Sequence, residues 1–196
     1  MEDAKSNNCG WNDNNATSNC ITEILKLGDG MEGDWSDWGN CKEGTYAVAF
    51  EVRTHHERCA DCEGVNDVKI HCTGHNEINN SNILDPQLHN KHYGRWEELR
   101  ECEKYFTGAA IESYVNSDNY CVTNFQMFCY NGTSTNPMNG YSEDSDWTHG
   151  EWREERMCDD GTAICGLKIR IEEYQGPFYD DSGGNGIRVK CCPVPK

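Results

Sequence analysis

The sequence predicts an all-β domain assembled from three copies of one disulfide-stapled unit. Three observations carry this. Gly-x-Trp followed six residues later by Cys occurs three times: Gly33-Asp-Trp35 with Cys41, Gly94-Arg-Trp96 with Cys102, and Gly150-Glu-Trp152 with Cys158. Each copy closes on a seven-residue run ending in cysteine, namely Asn66 to Cys72, Thr123 to Cys129 and Asn185 to Cys191. Between these marks apolar residues recur at a spacing of two rather than 3.6, which is the period of a strand with one buried face. Offsets that coincide from copy to copy are the signature of internal repeats.

Residues 1–32 form an extension ahead of the first copy. Its apolar run Ile21 to Leu27 is expected to be a strand that completes a neighbouring sheet. The first copy runs over 33–72, with Ala47/Ala49, Val48/Phe50/Val52 and Val68/Ile70 as strand faces. A polar join, Thr73 to Tyr93, holds a second completing strand at Ile83-Leu84. The second copy, 94–129, is the loosest. Counting from the opening cysteine aligns Ala49-Phe50, Ala110-Ile111 and Gly166-Leu167, nine residues on. On that count Ser113 falls where Val52 and Ile169 stand, and Tyr105 where Gly44 and Gly161 stand. A second join, Tyr130 to His149, leads to the third copy, 150–192. There Leu167/Ile169/Ile171 alternate with Lys168/Arg170/Glu172, and Ile187/Val189 repeat the pattern. Gly, Asn and Asp clusters separate the strands. Residues 33–192 are read as one domain and 193–196 as a tail.

Composition sets the compartment. The chain has 13 cysteines in 196 residues, a density that belongs to an oxidising environment. Three glycosylation acceptors, Asn15, Asn79 and Asn131, fall outside the repeats, where a bulky glycan is tolerated. Both features point to a secreted, extracellular protein. The first ten residues lack the apolar core of a secretory leader, so the chain is read as a mature form carrying an initiator Met. No apolar run approaches a membrane span. The net charge of −17 argues against nucleic acid and anionic membrane as partners. A basic protein, a cation or a neutral polymer fits better.

Repeat symmetry pairs the cysteines: Cys41–Cys72, Cys102–Cys129 and Cys158–Cys191, each joining the two ends of one copy. Cys165–Cys192 is the added bridge of the third copy, with the swap Cys158–Cys192 and Cys165–Cys191 as the alternative. Closing loops of about 30 residues is worth roughly 3–4 kcal/mol each in the chain-entropy model. Cys9–Cys20 would staple the extension. Cys59 and Cys62 pair with each other, or one of them reaches Cys121. Thirteen is odd, so one thiol is free or forms an intermolecular disulfide. Cys59-Ala-Asp-Cys62 with His55 and His56 also has the look of half a metal site; disulfide chemistry is the expectation, and no metal is assigned.

The segments Gly166-Leu-Lys-Ile-Arg-Ile-Glu172 and Asp180 to Cys192 (DDSGGNGIRVKCC) resemble the vitelline membrane outer layer protein I family. Gly33-Asp-Trp35-Ser-Asp-Trp38 and Tyr46 to Arg53 (YAVAFEVR) match its repeat openings and first strands. The resemblance spans 33–192. The cysteine-bearing extension, the long joins, the CxxC at 59–62 and the acidity depart from it. It implies a β-prism of three Greek-key sheets about a pseudo-threefold axis, the fold type of jacalin-like lectins. It also implies a place in extracellular coats or secretions, among coat proteins or glycans, and an attributed activity of transfer among N-acetylchitooligosaccharides.

Such transfer needs two carboxyl groups about 5–10 Å apart. The repeat-related acids two residues past each opening Trp, Asp37, Glu98 and Glu154, are the catalytic candidates if the axis gathers them; otherwise they are solvated turn residues. Asp61, Asp118 and Asp180 form a second such set. Trp38 and Trp147 are candidate sugar platforms, whereas Trp35, Trp96 and Trp152, being equivalent, are expected to plug the core. Asp180 and Asp181 lie in a Gly-rich acidic loop that suits Ca²⁺ without EF-hand spacing; no other cofactor is implied. The sequence therefore favours a secreted structural or protective component, with a carbohydrate-binding module and a glycosyl-transferring enzyme as alternatives.

Overall fold

The computed structural model describes residues 23–28, 30–54, 64–74, 82–84, 94–115, 120–135, 150–172 and 183–195. Their strands are β1 (Glu23–Leu27), β2 (Asp34–Trp35), β3 (Gly39–Asn40), β4 (Thr45–Thr54), β5 (Val65–Gly74), β6 (Asn82–Leu84) and β7 (Arg95–Trp96). These continue with β8 (Arg100–Glu101), β9 (Phe106–Val115), β10 (Tyr120–Cys129), β11 (Glu151–Trp152), β12 (Arg156–Met157), β13 (Thr162–Ile171) and β14 (Gly184–Pro193). They form three antiparallel sheets around one core, a β-prism. Each sheet is centred on the long hairpin of one copy: β4/β5, β9/β10 and β13/β14.

The opening strands do not join their own hairpin. β2 and β3 pair with β13, β7 and β8 with β4, and β11 and β12 with β9. Each Gly-x-Trp segment thus edges the sheet of the preceding copy, and the first copy's segment closes the ring on the third. β1 completes the third sheet against β14, and β6 completes the first against β5. The two short apolar pieces ahead of Gly-x-Trp do serve as completing strands.

This exchange changes what the cystines do. Cys41 follows β3 on the third sheet and bonds to Cys72 on the first. Cys102 follows β8 on the first sheet and bonds to Cys129 on the second. Cys158 follows β12 on the second sheet and bonds to Cys191 on the third. Three bridges therefore tie the three sheets in a cycle. Cys165–Cys192 differs: it lies within the third sheet, where an irregularity of the β13/β14 ladder falls at Cys165. Cys121 is also disulfide-bonded. The other eight described cysteines pair among themselves, so its partner lies outside the described residues, as do Cys9, Cys20, Cys59 and Cys62.

The register corrects the alignment of the second copy. Ala47 and Ile164 stand opposite Cys72 and Cys191, six residues past Cys41 and Cys158. Phe106 stands opposite Cys129, only four past Cys102. The turn is two residues shorter, so Ile111, not Ser113, is the equivalent of Val52 and Ile169. Ser113 takes the place of Thr54 and Ile171. Tyr105 does not replace Gly44 and Gly161, whose positive φ of 74° and 77° shapes a turn the second copy lacks. The second copy is not degenerate in its core; it is shortened at one end.

The inward faces meet along the axis. Val52, Ile111 and Ile169 are fully buried, as are Val68, Phe125 and Ile187. Large and small residues trade places between sheets: Phe50 with Ala47 in the first, Phe106 with Ala109 in the second. Phe50 meets Phe106 and Phe125 edge-on at 5.6 and 5.3 Å between centroids, the favoured aromatic geometry. At one end the starts of the closing strands touch backbone to backbone: a Cβ on Gly64 would strike Val122 O, and one on Gly184 would strike Val65 O.

Candidate functional site

Because the core takes one side of every sheet, whatever the prism recognises meets its outer faces or its ends. The pleat sends every second residue outward, and the register makes the three faces comparable position by position. Each carries the Trp of the following copy at its edge. Trp35 pairs with Arg170, Trp96 with Arg53 and Trp152 with Glu112. Trp35 and Trp96 are half-buried and Trp152 is 42% exposed. These residues are therefore not core plugs; they lie over outer faces, because the opening strands are sheet edges.

On the first sheet the face is charge-balanced. Arg53 and Lys69 stack on Trp96, 4.5 and 4.0 Å from the ring centroid. Glu51 draws Lys69 to 3.7 Å and His71 Nε2 to 2.9 Å, and Asp67 lies 3.9 Å from Arg53.

On the second sheet the same positions are Ala110, Glu112, Asn124, Gln126 and Phe128. With no cation among them to stack beneath it, Trp152 stays open to solvent.

On the third sheet the outward-facing charged residues of the long hairpin are all basic, Lys168, Arg170, Arg188 and Lys190, and Lys26 on β1 joins them. Two indoles clasp them. Lys168 Nζ lies 4.9 Å from the Trp35 centroid and 5.0 Å from that of Trp38. The Arg188 guanidinium is 4.3 Å from Trp35, and Lys190 Nζ is 4.2 Å from Trp38. Such stacking is worth about 0.5–2 kcal/mol per pair. Lys190 also donates to Asn40 Oδ1 at 2.6 Å. Arg170 instead fans its guanidinium onto the carbonyls of Gly30, Met31 and Gly33, which anchors the segment ahead of β2. Burial, then the neighbouring Arg188, holds Lys168 below the ordinary lysine range; burial, then Lys168, does the same to Lys190.

The sequence-derived candidates scatter over this frame. Asp37, Glu98 and Glu154 are all exposed, each in the bulge between two short opening strands. They sit partway along three different outer faces, not together at one end. Glu154 is paired with Arg156 at 2.9 Å. Trp38 belongs to the basic face. Asn131 is exposed in the turn after β10, its Oδ1 accepting from Thr133 N and Oγ1 at 3.0 and 2.6 Å. Trp147, Asp61, Asp118, Asp180, Asp181, Asn15 and Asn79 lie outside the described residues. Among the described residues no three His, Cys, Asp or Glu side chains are grouped to hold a metal ion, and no helix is long and apolar enough to cross a membrane. The basic face went unread in the sequence. Its signal was there in the alternating cations 168/170 and 188/190, but only the register sets them side by side.

Three sheets about one apolar axis define a β-prism, a fold also seen in solved jacalin-related lectins. Solved structures agree: AcmJRL, a mannose-binding jacalin-related lectin from Ananas comosus, aligns with a TM-score of 0.53 at 12% identity, over 88% of this chain and 98% of that one. A single-chain recombinant jacalin gives 0.54 at 11% identity, over 91% and 98%. Within that fold, the chain belongs to the vitelline membrane outer layer protein I family, whose model matches residues 23–194. A mouse (Mus musculus) vitelline membrane outer layer protein 1 homolog is 28% identical over 171 residues, covering 82% of this chain and 79% of that protein.

Proposed function

We propose that the protein is a secreted structural or protective component of an extracellular coat or secretion, held there through glycans. The cyclic set of inter-sheet cystines supports this reading best. Each sheet is covalently tied to the next, which suits a protein that must persist outside the cell without the protection of a cytosol. Family membership supports the extracellular setting.

A carbohydrate-binding role is the second reading. It is favoured by Trp152, a 42% exposed indole on the second face paired with Glu112, a stacking surface with a polar group at its side. Transfer among N-acetylchitooligosaccharides is the third. One assay separates them: the purified chain is presented with a chitooligosaccharide array, and the products are sized. Absence of binding favours the structural role. Binding without lengthening, lost in Trp152→Ala, favours the lectin role. Longer products favour transfer, and retention of that activity in an Asp37→Asn, Glu98→Gln, Glu154→Gln triple variant removes those acids from the mechanism.

A further inference from the structure

The third sheet's outer face is out of keeping with the rest of the chain. A protein of net charge −17 with 17 Lys and Arg in all places five of them here: Lys26, Lys168, Arg170, Arg188 and Lys190. Lys168 stands directly opposite Arg188, and Arg188 directly opposite Lys26. Three cations thus form a row across three strands, about 4.8 Å apart from strand to strand. Like charges directly opposite are destabilising. The fold does not demand them. The same row is Glu51 opposite Lys69 on the first sheet, an ion pair at 3.7 Å, and Ala110 opposite Gln126 on the second. Among the described residues no carboxylate lies within 4.0 Å of Lys26, Lys168 or Lys190, and Lys168 Nζ has no hydrogen-bond acceptor. Lys26 is exposed, and its neighbour Ile24 is 43% exposed.

We propose that this face binds a sulfated polysaccharide, with sulfate esters on the Lys26–Arg188–Lys168 row and on Lys190, and sugar rings beside Trp35 and Trp38. A row of charges matches a polyanion better than a single ion. A sulfate presents oxygens in three directions, suiting donors that arrive from separate strands, whereas a carboxylate's two coplanar oxygens suit one guanidinium fork. The paired indoles favour a sugar polymer over an acidic peptide, since pyranose faces stack on aromatic rings. Electrostatic complementarity of this kind governs capture and specificity. The proposal deepens the coat reading by naming the polymer. The two fail separately: a blank neutral array leaves this face standing, and a face that ignores sulfate leaves the stapled coat protein standing.

The test uses the intact oxidised chain on immobilised dextran sulfate, with hyaluronan (carboxylate only) and neutral dextran alongside. Retention is expected on dextran sulfate, weaker on hyaluronan and absent on neutral dextran, with elution as NaCl rises from about 50 to about 200 mM. Lys26→Glu, at an exposed position, and Lys168→Gln, checked for fold by circular dichroism, should each weaken binding about tenfold. Lys104→Glu, on the second copy, should leave it unchanged. No retention at low salt, equal loss in Lys104→Glu, or no loss in Lys26→Glu overturns the proposal. So does tighter binding to hyaluronan, or a polymer-free dimer that Lys26→Glu dissolves, which would make a second acidic copy the occupant.

Discussion

Cys41 and Cys72 close the same repeat and yet join different sheets, the third and the first. A bridge between two ends of one sequence copy thereby becomes a bridge between two faces of the prism. Its removal should be felt by the whole domain. With a sequence separation of 31, the Cys41→Ser, Cys72→Ser pair should lower stability by about 3–4 kcal/mol. The Cys165→Ser, Cys192→Ser pair should cost about 1 kcal/mol less, because Cys158–Cys191 already closes most of that loop. Urea midpoints compare the two; an equal or greater loss at Cys165–Cys192 contradicts the inter-sheet role.

Phe50 is the side chain on which the first and second sheets meet, touching both Phe106 and Phe125. Phe50→Ala should cost about 3–5 kcal/mol. Phe50→Leu, which keeps most of the volume, should cost less than half of that. Denaturant unfolding followed by near-UV circular dichroism reads both.

Gly184 and Gly44 separate two reasons for glycine. A Cβ at Gly184 meets the Val65 carbonyl, while at Gly44 it meets nothing within 4 Å. Gly184→Ala should lose about 1–3 kcal/mol by overpacking. Gly44→Ala should lose about 1 kcal/mol through its positive φ alone. Thermal unfolding that ranks them the other way would show the backbone contact to be soft.

Tyr46 donates its phenol proton to Pro193 O, and burial, then Tyr105, raises its pKa above the usual tyrosine range. A raised folded-state pKa means the native chain holds this proton more tightly than the unfolded chain. Its contribution is therefore complete below about pH 10, the ordinary tyrosine value, and is lost as pH climbs through the folded pKa. Tyr46→Phe should cost about 1 kcal/mol at neutral pH and flatten the alkaline fall in stability. A spectrophotometric titration of wild type and variant should show the last phenolate to form missing from the variant.

Much of the fold was legible because it is periodic. The alternation 167/169/171 against 168/170/172 dictates strands whatever surrounds them. Three Gly-x-Trp and Cys marks dictate three hairpins. The second copy misled because counting from Cys102 assumes equal turns, and the missing two residues are invisible until Phe106 is seen opposite Cys129. The site was less legible still. Asp37, Glu98 and Glu154 look like a set in the sequence since symmetry relates them, but a threefold axis also carries equivalent residues apart, onto three faces.

The three hairpins, the inward and outward residues of the third and the redox chemistry that staples them could be read before any fold was known. They follow from local alternation and cysteine content, which need no knowledge of neighbours. Which sheet each Trp segment edges is settled only in the folded chain. With it are settled the cations that lie under Trp35 and Trp38, and the reason Trp152 stands open. Those outcomes rest on pairing between residues remote in the chain, as between Asp34 and Ile171 or Trp35 and Arg170. Sheet register, not chain distance, sets which side chains meet.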